Sequence, residues 1–198
     1  RKPVHVAIDP MLDVPRHLHL DERPATIADV QHASSTLFVM PTVVGDGEKA
    51  AFKAFTDSWC TPRRGPAKDC KVVRDDADFD LGAADAVVVM GYANRMRGAF
   101  AQLPVPHRLD DENFHTADGR RLSHSRGSLV VVKRHPVPLR RERGGALMFV
   151  ASVSPKAVKR LARVLPHYGK YSGLAFVGDD AANTYKVTWP TSPASMQV

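Results

Sequence analysis

Long apolar runs are missing from this chain: no stretch approaches the roughly 18 to 20 consecutive residues that a membrane-crossing helix needs, so no transmembrane segment is expected. Cysteine is scarce, with two in 198 residues, and aromatic residues make up only 7%. Complete catalytic texts are missing as well. Ser34, Ser35, Ser123 and Ser125 lack a nucleophile-elbow setting, which leaves a serine hydrolase without support. Gly45-Asp46-Gly47 lacks the third glycine of a dinucleotide fingerprint, and no ribose-binding acid follows about 20 residues later. It reads as a helix-entry turn, and no cofactor is expected. No helix-turn-helix, ribonucleoprotein or zinc-finger pattern occurs.

What is present suffices for a folded core. Hydrophobic residues make up 43% of the chain, enough for one globular domain over about 26–198. The opening Arg1-Lys2-Pro3 has no initiator methionine and no apolar signal segment behind it. Residues 1–25 read as an extended lead-in joining an upstream unit.

Strand and helix signals alternate. Short β-branched or aromatic runs at 36–40, 71–74, 85–90, 128–133, 146–151, 174–177 and 185–189 read as strands. Asp46 can cap a helix over 47–59, and a second helix is expected over 94–102. Ser154-Pro155 is a cap followed by proline at the first helical position, opening a helix that runs to about Leu165. Asn113 to Thr116 and Arg120 to Ser123 flank Asp118-Gly119, which predicts a β-hairpin inside an insertion at about 107–127. The pattern predicts an α/β domain, a mostly parallel sheet with helices on both faces in the Rossmann or flavodoxin manner.

Ligands of such sheets bind beyond the carboxyl ends of the strands. The segments 41–48, 91–97 and 152–154 would project there. Gly91 lets a ligand approach the backbone, and Asn94 follows it, although capping of the next helix alone explains Asn94. A small-molecule binder or hydrolytic enzyme with its pocket around Gly91, Asn94, His167 and Tyr168 is one reading. The densest loop text is Leu165-Pro166-His167-Tyr168-Gly169-Lys170-Tyr171-Ser172. Loops carrying aromatic and ionisable groups point to function more than core positions do. Local packing and hydrogen bonding also account for Tyr168, Lys170 and Tyr171. His17 and His19 fall on one side of a strand at a spacing that can ligate metal, but no third ligand is fixed, and surface histidines are the simpler reading.

Formal net charge is +7, and the excess is concentrated. Arg120, Arg121, Arg126, Lys133, Arg134, Arg140, Arg141 and Arg143 face only Glu142 across that stretch. The segment reads as a solvated loop or a face for an acidic neighbour; binding to nucleic acid or another anionic surface is the alternative. No aromatic residue interleaves with it to stack on bases. Cys60 and Cys70 bracket a loop with two prolines and a glycine, whose ends can return to one another. A disulfide there would imply an oxidising, extracytoplasmic compartment, periplasmic or secreted; two free thiols or a metal pair are the alternatives.

Several of these stretches resemble one family. Val6 to Val14, then Arg16, Leu18 and Glu22-Arg23-Pro24, look like the junction after the peptidase portion in bacterial proteins related to the aminopeptidase N type of zinc metallopeptidase. Val87 to Gly91 with Asn94, and Leu165 to Ser172 with Asn183, Lys186 and Trp189-Pro190, resemble the α/β region downstream of it. The resemblance implies a non-catalytic, C-terminal accessory domain beside an upstream or partner peptidase-like domain. The family's His-Glu-x-x-His and Gly-x-Met-Glu-Asn motifs are absent here, and with them the zinc ligands and the glutamate that activates zinc-bound water. Gly173 and Val187 stand where the family pattern has an aromatic residue and a glycine.

Overall fold

The computed structural model describes residues 23–61, 68–135 and 145–190. His17, His19, Arg140, Arg141, Arg143 and most of the expected lead-in lie outside the described residues. Ten strands occur among the described residues: β1 (Ser35–Met40), β2 (Asp69–Arg74), β3 (Ala86–Met90), β4 (Arg108–Leu109), β5 (Asn113–His115), β6 (Arg121–Ser123), β7 (Gly127–Arg134), β8 (Ala146–Ser152), β9 (Gly173–Val177) and β10 (Ala182–Val187). Three α-helices accompany them: α1 (Ile27–Gln31), α2 (Asp46–Cys60) and α3 (Pro155–Val164).

Seven strands form one sheet in the order β10-β9-β7-β8-β3-β1-β2. β2, β1, β3 and β8 are mutually parallel, whereas β7 is antiparallel to both β8 and β9, and β10 is antiparallel to β9. The domain is therefore α/β with a mixed sheet whose central strands are mostly parallel. The antiparallel return has a simple origin. After β3 the chain crosses the sheet toward the amino ends, where Lys133 donates to the Ala99 carbonyl and the His107 ring meets Trp189, and then returns through the small sheet β4-β5-β6 to the carboxyl ends. β7 then starts at that end, with Ser128 opposite Ser152 and Arg134 opposite Ala146. A parallel strand would have required a crossover back to the opposite end.

Among the described residues the α-helices cover one face only, which corrects the expectation of helices on both. Ile27 and Val30 of α1, Phe52 and Phe55 of α2, and Val158 and Leu161 of α3 all pack with Phe38, Val88, Met148, Val130 and Phe176. The opposite face, with Val39, Val89, Phe149, Val131 and Ala175, meets Phe100, Leu103, Leu109, Phe114 and Trp189. The helix expected over 94–102 is a short 3-10 helix, Arg95–Phe100. Gly98 weakens a longer helix, and Pro104 ends one. The expected hairpin is present as β5 and β6, with β4 added alongside.

Local chemistry fixes the helix starts. The Ser154 hydroxyl accepts from the Ala157 amide with Pro155 following, so α3 begins where the sequence places it. α2 starts one residue earlier than expected: Gly45 is the cap, and Asp46 and Glu48 lie in the first turn, where their charge suits the helix dipole. α1 gave no clear signal in the sequence because it spans only five residues.

Cys60 and Cys70 form a disulfide that joins the last residue of α2 to edge strand β2. Among the described residues β2 pairs on one side only, with β1, so the covalent tie restrains an edge strand. Closing this short loop constrains the unfolded chain by about 2 to 3 kcal/mol. Reduction, or Cys60→Ser with Cys70→Ser, should lower the denaturant-derived unfolding free energy by about that amount, while circular dichroism retains the α/β signature.

Candidate functional site

Leu165–Tyr168 forms a 3-10 turn after α3, and the rest of the tract docks on α1. The Ile27 amide donates to the Tyr171 carbonyl at 3.0 Å and the Ala28 amide to the Gly169 carbonyl at 2.9 Å. Half-buried Tyr168 meets Phe176 edge-on at 5.8 Å and Tyr171 at 6.0 Å. The ammonium groups of Lys170 and Lys186 sit 5.3 and 5.7 Å from the Tyr171 ring centre, where the ring's negative face attracts them. His167 and Lys170 are exposed. The two tyrosines thus fix the turn into β9.

The end of the tract ties into the core. Ser172 is fully buried: its carbonyl accepts from the Val132 amide at 2.7 Å, its amide donates to the Val187 carbonyl at 2.8 Å, and its hydroxyl accepts from the Trp189 amide at 3.2 Å. The Trp189 indole N–H donates to the Val132 carbonyl. Gly173 is opposite Val187, and a Cβ at 173 would come within 2.9 Å of both Val187 and Trp189. Glycine there makes room for the indole.

Gly91 and Asn94 lie at the other end of the sheet. Their position follows β3 at the carboxyl ends of the parallel strands, whereas the tract joins α1 at the amino ends. The structure therefore does not bring Gly91 and Asn94 together with His167 and Tyr168. Gly91 adopts a φ of 84°, and a Cβ there would meet Pro41 and the Phe52 ring at 3.1 to 3.2 Å. Glycine is required by conformation and by space. Asn94 is 4% exposed and fully engaged: Nδ2 donates to the carbonyls of Val39 and Met90, and Oδ1 accepts from the Met96 amide.

Asp75, which the sequence reading passed over, completes this end. Its carboxylate accepts from the Thr42 amide at 2.8 Å, from the Thr42 hydroxyl, and from the Arg95 amide at 2.9 Å. Burial acts to raise its pKa, but the Thr42 hydroxyl, the Arg95 and Thr42 amides and the Arg95 charge together hold it below the usual range. Asp75 and Asn94 therefore staple the loops after β1, β2 and β3.

The basic segment is divided. Arg134 lies 3.6 Å from Asp29 and donates to the carbonyls of Arg23 and Pro24. Arg121 and Arg126 flank the opposite end of β7, roughly 23 Å away along an extended strand. Arg120 pairs with Asp118 at 2.8 Å and covers the Tyr185 ring. The described arginines do not make one continuous patch.

A cleft of about 480 Å³ opens between the small sheet and the ends of β7 and β9, lined by residues that include Tyr92, Arg121, Ser123, His124, Arg126 and Thr184. The His124 ring stacks on Tyr92 at 4.4 Å. Its Nδ1 donates to the Asp111 carbonyl at 3.2 Å, leaving Nε2 a buried acceptor without a partner among the described residues. Burial first, then the Arg97 charge, push the His124 pKa down, so the ring is neutral at neutral pH. Tyr92 donates to the Gly127 carbonyl at 3.2 Å, and burial pushes its hydroxyl well above the usual phenol range. Sequence reading missed this cleft because its walls come from five separate segments. No group of three or more histidine, cysteine, aspartate or glutamate residues suited to a metal occurs among the described residues. No family model matches the chain, and no curated protein matches it in sequence.

Two substitutions test the carboxyl-end staple. Asn94→Ala should cost about 2 to 3 kcal/mol in urea unfolding, because buried backbone groups lose their partners. Asp75 contributes stability that is fully present above the ordinary carboxyl value of about 4 and is lost as pH falls through its lowered folded value. Asp75→Asn should therefore be less stable than the parent at neutral pH, with the gap narrowing below about pH 4.

Proposed function

We propose that this chain is a non-catalytic accessory domain that packs on a peptidase-like partner, or on a peptidase-like portion of its own polypeptide, through the edge at the amino ends of its parallel strands. One observation carries the reading: Arg23-Pro24, α1, Arg134 and the Leu165 to Ser172 tract converge at that edge. The point where the chain enters the described domain is thus beside its most distinctive loop. Exposed His167 and Lys170 provide contact groups, while Tyr168 and Tyr171 hold the loop's shape.

The two departures from the family pattern support the same reading. Gly173 and Val187 are cross-strand partners, so an aromatic residue opposite glycine and a glycine opposite valine are reciprocal ways to fill one space. Valine is smaller than an aromatic ring, and the Trp189 indole shares the space over Gly173 with it. The parallel set β2-β1-β3-β8 is compatible with descent from a Rossmann or flavodoxin-like plan, and the disulfide fits an extracytoplasmic setting.

The reading frame upstream of Arg1 supplies the first test. An encoded zinc-peptidase module supports the proposal; an independent start without such a module overturns the shared-polypeptide form. If such a module is present, mixing it with this chain in size-exclusion chromatography should give a complex that His167→Ala with Lys170→Ala weakens without lowering thermal stability. Zinc-dependent peptide hydrolysis by the isolated chain would sink the non-catalytic assignment.

A further inference from the structure

We propose that the cleft between the small sheet and the ends of β7 and β9 binds a small organic oxyanion, a carboxylate or phosphate carried on an apolar or ring-shaped body. Its volume of about 480 Å³ falls in the range of roughly 300 to 1,000 Å³ usual for small-molecule sites. It lies on the carboxyl side of the parallel strands, beside the residues that follow β3 and those that end β9. Open α/β sheets place ligands on that side.

The lining selects the ligand's charge. Arg121 and Arg126 contribute two guanidinium groups, and no aspartate or glutamate lines the cleft. Both arginines are exposed and neither is in an ion pair among the described residues, in contrast with Arg97 and Arg120, which hold Asp111 and Asp118. Asp179, in the turn beyond β9, is held by the Ser154 hydroxyl and lies 3.7 Å from Lys156. An oxyanion would give Arg121 and Arg126 the charge-assisted hydrogen bonds that they lack. Ser123 and Ser125, whose hydroxyls are 2.9 Å apart, add donors beside them.

The remaining walls select the ligand's body. Phe114, Leu122, Leu129 and Ala175 present apolar surface. His124 is only 7% exposed, and its Nε2 has no partner among the described residues. The His124 ring, stacked on Tyr92, adds a flat face to that wall. A bare inorganic ion would leave the apolar surface uncovered.

Titration at low salt with phenyl phosphate, benzoate and inorganic phosphate, followed by amide chemical shifts, tests the assignment. Saturable binding of phenyl phosphate or benzoate, with shifts at Ser123 to Leu129 and Ala175 to Val177, is expected, and inorganic phosphate should bind at least about tenfold more weakly. Whichever ring compound binds more tightly identifies the head group. Arg121→Gln with Arg126→Gln should weaken binding about tenfold or more at unchanged thermal stability. Arg160→Gln with Arg163→Gln, on α3 across the sheet, should leave it unchanged. No saturable binding, equal losses in the two double variants, or inorganic phosphate binding as tightly as the ring compounds would overturn the proposal.

Discussion

The central strands are apolar on both sides, so the sheet must be covered twice. Every residue of β3 and β8 is buried, and each fully buried large aliphatic or aromatic side chain contributes about 1.5 to 3 kcal/mol relative to exposure. α1, α2 and α3 cover one face efficiently because their apolar stripes have helical spacing. On the other face, a 3-10 turn, a three-stranded sheet and Trp189 share the task. These irregular pieces meet imperfectly where β7 begins and β9 ends. The cleft lies at that seam.

Polar ties then give the two ends of the sheet different characters. At the carboxyl end, Asp75 and Asn94 consume the loop amides and carbonyls that a ligand would otherwise meet. Ligand chemistry is displaced sideways, toward Tyr92, His124 and the arginines that flank the small sheet. At the amino end, Ser172 and α1 draw the tract into the core while leaving His167 and Lys170 in solvent. An edge organised in this way suits contact with another protein surface better than enclosure of a small substrate.

The strands were legible in the sequence because each is a short run of β-branched or aromatic residues, and the cap at Ser154-Pro155 fixed α3. Their directions were not. Parallel and antiparallel strands buried on both faces have the same composition, and the reversal at β7 depends on where the small sheet leaves the chain. The segment after Asn94 was misread for a related reason. A helix was expected there, but the hydrogen bond from Asn94 to the Val39 carbonyl, which holds the start of the turn against the loop after β1, joins residues far apart in sequence.

The functional text showed the same limit. Tyr168, Lys170 and Tyr171 attracted attention because chemically capable groups stand side by side in the chain, yet their rings and charges face one another and the docking helix. Arg121 and Arg126 looked like part of an undivided basic stretch. Folding separates them from Arg134 by the length of β7 and turns them toward Phe114, Leu129 and Ala175. Proximity in sequence therefore overstated the tract as chemistry and concealed the cleft, because a site is defined by which faces the sheet leaves incompletely covered.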